Sequence, residues 1–260
     1  NYGAGAVVPL VLSNRQIEHN ASSAILNNNA TDVNCTVTVN TDLLVSRSSA
    51  ITFGLGGSNA GNNTFAGAIG DRTGGYQTSL TKANAGNWIL SNANNSYTGT
   101  TTITSGTLSI NKMADYGVES SIGKGISGVG IAFGGGSLNY TGTGGDTDRL
   151  VQVSAGNGTI LNNGTGALNF TATGNFNVQA SSALNRTLTL GGTKGGTISG
   201  AIQNNSGTGA VVSIAKTGLG TWTLQGNNTF TGTSSANGGG NLALDYTTNT
   251  GSKLSDTAAL

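Results

Sequence analysis

The sequence predicts an all-β chain wound as a parallel β-solenoid. Three observations predict it: apolar residues alternate with period two in short runs, one block of about 135 residues occurs twice, and the composition fills only a thin core.

The alternation is clearest at Val33, Cys35, Val37 and Val39, at Leu108 and Ile110, at Leu188 and Leu190, and at Trp222 and Leu224. Each set puts apolar side chains on one face of a strand and Thr, Ser or Asn on the other. Glycine clusters such as Gly134-Gly135-Gly136 and Gly238-Gly239-Gly240 bound these strands, because glycine turns at positive φ without steric cost. Helical periodicity is nearly absent. Only Met113 to Ser121 could form a short turn of helix, and Gly117 weakens it.

The repeat runs the length of the chain. Residues 80–99, LTKANAGNWILSNANNSYTG, return at 214–232 as IAKTGLGTWTLQGNNTFTG, so Lys82, Gly86, Trp88 and Leu90 match Lys216, Gly220, Trp222 and Leu224 at an offset of 134. Upstream, Ile25-Leu26-Asn27-Asn28 matches Ile160-Leu161-Asn162-Asn163, and Val33 and Cys35 fall against Leu168 and Phe170, at 135. The chain therefore divides into a first repeat unit, residues 1–138, and an incomplete second, 139–260, on one continuous rod. Opening on Asn1 and stopping inside its second unit, it reads as part of a longer rod or as a subunit completed by its neighbour.

Composition excludes several function classes. Only 8% of residues are charged and the net charge is +1, which offers no electrostatic footprint for nucleic acid or an anionic membrane. No apolar run approaches the 18 or so residues that span a bilayer. The single Cys35 rules out an intramolecular disulfide. Six Phe, six Tyr and two Trp are few for a sandwich core, whereas a solenoid stacks small aliphatics coil on coil, with Asn side chains bonding between coils at the corners. At roughly 20 residues per coil the chain would hold about 13 coils and reach about 60 Å.

Segments 80–110 and 214–244 resemble the autotransporter-associated β-strand repeat: a Thr-Lys, small-Gly, Trp-x-Leu, Asn-x-Tyr/Phe-Thr-Gly run followed in the first copy by Gly-Thr-Leu, over 62 of 260 residues. Residues 136–150, GSLNYTGTGGDTDRL, resemble the stretches between such repeats. The resemblance implies a right-handed β-helix in a bacterial surface or secreted protein, with no shared catalytic residues. The function expected is then an extracellular scaffold, spacer or adhesin, with no enzymatic activity, cofactor or metal. Its expected partners are further copies stacked head to tail through open solenoid ends, surface glycans or other cells. The alternative is a carbohydrate-binding or polysaccharide-acting β-helix.

No residue set is assigned a catalytic, cofactor or metal role. His19 beside Glu18 reads as a surface histidine, lacking a second histidine or a carboxylate cluster. Asp146, Asp148 and Arg149 form the one close charged trio and read as a turn cap with a compensating cation. Trp88 and Trp222 would be sugar platforms in a lectin, but share a face with Leu90 and Leu224 and read as core. Cys35 reads as a small buried hydrophobe.

Overall fold

A computed structural model describes residues 1–128, 130–154, 156–176, 184–204, 209–247, 249–251 and 253–254. Among them there is no helix; Met113 to Ser121 runs as coil with one turn, where Gly117 takes a φ of 80°. Every pair of neighbouring strands is parallel, and hydrogen-bonded partners lie 20 to 30 residues apart in sequence, which is the signature of a solenoid.

The chain visits three sides in turn. Side one is a ten-stranded sheet running from Leu10–Leu12 through Val37–Val39, Asn63–Phe65, Asn87–Leu90 and Thr107–Ile110 to Ser137–Tyr140, Gly158–Asn162, Arg186–Gly191, Val212–Lys216 and Ser234–Ala236. Side two starts with Ile17–His19 and Leu43–Val45 and resumes as a five-stranded sheet, Gly145–Thr147 to Leu242–Leu244. Side three is a six-stranded sheet from Ser23–Asn27 to Val151–Val153, continued by Asn175–Phe176 and Ala201–Ile202. Ten stacked strands give about 43 Å at 4.8 Å per rise. The coils are thus longer and fewer than the thirteen expected, because corner loops add residues to each turn.

The core is one strip inside the three sides. It runs from Val37 and Val39 through Phe53, Trp88, Tyr97, Tyr140 and Phe170 to Trp222, Leu224 and Phe230 without a break. Alternation produces it: Thr78–Lys82, Gly158–Asn162 and Val212–Lys216 all bury every second residue.

Two register details differ from expectation. Val39 pairs with Phe65 and through it with Leu90, while Phe170 pairs with Ile198 and through it with Leu224, so Val37 and Val39 are the counterparts of Leu168 and Phe170. Val33 and Cys35 precede the strand. Asp32 Oδ1 accepts the Asn34 amide at 2.9 Å and holds a turn there, which leaves Val33 52% exposed while Cys35 is buried.

The second concerns phase. Thr78–Lys82 lies on side three but its copy Val212–Lys216 lies on side one; the Trp88 strand lies on side one but the Trp222 strand lies on side two. From Trp88, side one climbs five strands to Val212–Lys216 before the chain turns onto the strand of Trp222. One repeat is therefore five coils plus one side.

Candidate functional site

The residues that define the repeat point inward and bond backbone groups of neighbouring coils. The Lys82 ammonium is fully buried and donates to the carbonyls of Ala83 and Asn84 at 2.8 Å each and of Ser105, one coil on, at 3.0 Å. Among the described residues no carboxylate joins it, and burial pushes its pKa down to about 8. Lys216 is buried in the same way, bonds Thr217 and Gly218 carbonyls at 2.7 and 2.8 Å, and has its pKa lowered by burial too. The turn each lysine caps needs a left-handed residue, supplied by Asn84 with φ 57° and by Gly218 with φ 67°.

Trp88 and Trp222 are fully buried and donate their indole N–H to Gly56 and Gly191 carbonyls at 2.8 and 3.1 Å, so neither offers a sugar platform. Asn95 accepts the Ile69 amide and donates to Ser121, both at 2.8 Å; Asn228 does the same with Ile202 at 2.8 Å and Lys253 at 2.9 Å. The repeat motif is thus a set of stitches between coils. An asparagine chain at another corner, Asn28 to Asn63 at 2.6 Å and Asn59 to the Ala30 carbonyl at 2.9 Å, meets the expectation of amide bonding between coils.

His19 is not on the surface. It is 3% exposed, edge-on to Phe53 with centroids 6.0 Å apart, and burial lowers its pKa. The signal was there: in Ile17–His19 the alternation that turns the half-buried Ile17 inward carries His19 to the same side.

The Asp146, Asp148 and Arg149 trio is dispersed. Asp146 faces outward and accepts from Asn169 at 2.8 Å, and Asp148 accepts the Tyr116 amide at 2.8 Å. Arg149 turns inward, is 3% exposed, and donates to the carbonyls of Ala114, Gly123 and Lys124 at 2.7–2.9 Å with its guanidinium 5.5 Å from the Tyr116 ring centroid. It pins the loop before Ile131–Phe133 to the rod. Among the described residues no group of three or more His, Cys, Asp or Glu side chains could hold a metal.

Two surface features were missed because they join residues from different coils. A groove of about 590 Å³ crosses three coils of side two between Thr165, Asn169, Thr197, Thr223 and Leu219. A second, of about 430 Å³, lies between the Leu43–Val45 strand and the hairpin that starts at Gly70.

The profile of the passenger-associated-transport-repeat family matches residues 80–110 and 214–244, the two segments that carry the lysine, tryptophan and asparagine stitches. Over 211 residues, 80% of this chain, the sequence is 38% identical to the adhesin BmaC autotransporter of Brucella suis biovar 1 (strain 1330). That match spans 6% of the length of the relative. No solved structure matches the chain.

Proposed function

We propose that this chain, an autotransporter passenger-type repeat protein, is a stretch of a non-catalytic extracellular rod that carries adhesive surfaces away from a bacterial cell. The observation that carries this reading is the uninterrupted ladder: parallel pairing and a single core pass through both repeat copies, so load applied at one end is shared by backbone bonds at every coil. The name of the relative, an adhesin, supports the adhesive part.

Stacking end to end belongs to the same reading. Among the described residues, Ser234–Ala236 and Leu242–Leu244 are outermost in their sheets, and beside them opens a cavity of about 570 Å³ lined by Leu242, Leu244 and Leu254. A further coil would cover it, from a longer chain or from a second copy.

Displaying the chain on the surface of non-adherent cells tests the adhesive role: attachment to host-cell monolayers above that of the empty carrier is expected, and display without attachment overturns adhesion in favour of a spacer. Electron microscopy of the purified chain at rising concentration tests stacking. Rods that lengthen with concentration are expected, and single short particles throughout would refute it.

A further inference from the structure

The hairpin beside Leu43–Val45 is a decoration on a shared scaffold. In the first copy, Asp71 takes the amides of Thr78 and Thr98 at 2.7 and 3.1 Å and the Thr98 hydroxyl at 2.5 Å. In the second, Asn204 takes the equivalent amides of Val212 and Thr231 at 2.9 and 3.1 Å. The cap is therefore the same, but the residues after it differ: Arg-Thr-Gly-Gly-Tyr-Gln in residues 72–77, against a stretch at 205–211 with neither cation nor aromatic ring.

The first-copy hairpin projects from the rod. Arg72 and Tyr76 face each other as an antiparallel bridge, and Gly74 and Gly75 close the turn at φ 106° and 83°. No backbone would obstruct a Cβ at either glycine, so they serve the turn and not coil packing. The Arg72 guanidinium lies 5.8 Å from the Tyr76 ring centroid and donates one N–H to Ser48 Oγ at 2.8 Å. In the coil below, Arg47 donates to Ser49 Oγ at 2.6 Å. Neither guanidinium pairs with a carboxylate, since the one ion pair among the described residues is Lys124 with Glu119, and Asp71 is turned into its cap. The groove next to them is lined by Leu44, which is exposed, and by Ser46 and Thr73.

We propose that this corner binds a carboxylate-bearing glycan, a uronic-acid polymer in kind. The Arg72 fork takes a sugar carboxylate, the Tyr76 ring and the Leu44 side chain take the C–H face of the ring, and the exposed Thr73 hydroxyl meets those of the sugar. Charge density favours a sugar acid over nucleic acid. One guanidinium at the groove of a chain of net charge +1 matches the sparse carboxylates of a uronic-acid polymer, not one phosphate at every nucleotide. The inference rests on the reading of the chain as an exposed rod, and supplies that rod with a ligand.

Retention of the purified chain on immobilised polygalacturonate is the test, with dextran and poly-glutamate as comparisons. Binding to polygalacturonate alone is expected, weakened about tenfold or more by Arg72→Ala and by Tyr76→Ala, and unchanged by Lys194→Ala, which removes the same charge elsewhere. Circular dichroism of each variant confirms that the rod is intact. No retention, equal retention on poly-glutamate, or equal loss in Lys194→Ala would overturn the glycan site. Each of those outcomes leaves the rod itself standing, because the microscopy reads it separately.

Discussion

The corner that the first repeat builds around Tyr97 and the one the second builds around Phe230 differ in the ring hydroxyl, and the difference shows what the stitches contribute. Tyr97 shares a 2.7 Å hydrogen bond with Thr101 Oγ1. Thr101 pairs with Leu80 as Ser234 pairs with Ile214, so Ser234 is its counterpart, and with Phe230 in place of tyrosine the buried Ser234 hydroxyl has no hydrogen-bond partner. Both corners pack fully, with Tyr97 and Phe230 completely buried. The apolar ring is the constant and the polar bond an addition.

That comparison can be broken most directly at the tryptophans. Trp88→Ala and Trp222→Ala should each cost about 3–5 kcal/mol, because each removes a filled core site and strands a carbonyl. Urea titration monitored by fluorescence of the remaining tryptophan measures it; a loss in one copy only would show that the two are not equivalent. Next in size are the lysines. Lys82→Met should cost about 1–3 kcal/mol and Lys216→Met less, since the first strands three carbonyls across two coils and the second strands two within one.

Lys82 also carries a pH signature. Its folded pKa, near 8, lies below the ordinary lysine value of 10.5, so between those values the unfolded chain holds more protons and stability rises with pH. Unfolding curves recorded from pH 8 to 10 should show that rise, and Lys82→Met should reduce it to the part that Lys216, lowered in the same direction, contributes. Above pH 10 the first copy should loosen instead, because burial raises the Tyr97 pKa and the unfolded chain ionises first.

The direct test of the tyrosine comparison is Phe230→Tyr, which should stabilise the second copy by about 1 kcal/mol by giving the Ser234 hydroxyl a partner. Thermal unfolding reads the change, and Ser234→Ala should erase it. The smallest expected effect is at His19, which is buried edge-on to Phe53. Burial lowers the histidine pKa, so as pH falls below 6.5 the unfolded chain takes up protons first and the first coils weaken. His19→Val should leave stability at pH 7.5 within about 1 kcal/mol and remove the decline toward pH 5.

Strand type and the buried faces were legible because each strand obeys a two-residue period that stacking does not alter, as at Val37 and Val39 or Leu188 and Leu190. The repeat was legible too, but not its phase. An offset of 134 residues says nothing of how many sides it spans when corner loops vary, and only the ladder of partners reveals the extra side. Cys35 and Val33 misled because their alternation continues that of the strand through a turn held by Asp32. The Arg72 corner was hidden for another reason: Ser48, Leu44 and Arg72 become neighbours only when one coil settles on the next.

Because each repeat ends one side later than it began, equivalent positions advance along the axis like treads on a spiral stair. Three consecutive copies would point any shared surface feature in three directions before the pattern realigned. A stalk built this way has no blind side: whichever way it is rolled when it meets a flat target, one copy in three faces the contact. Variation of the hairpin between copies would then assign different specificities to different compass points of the same stalk.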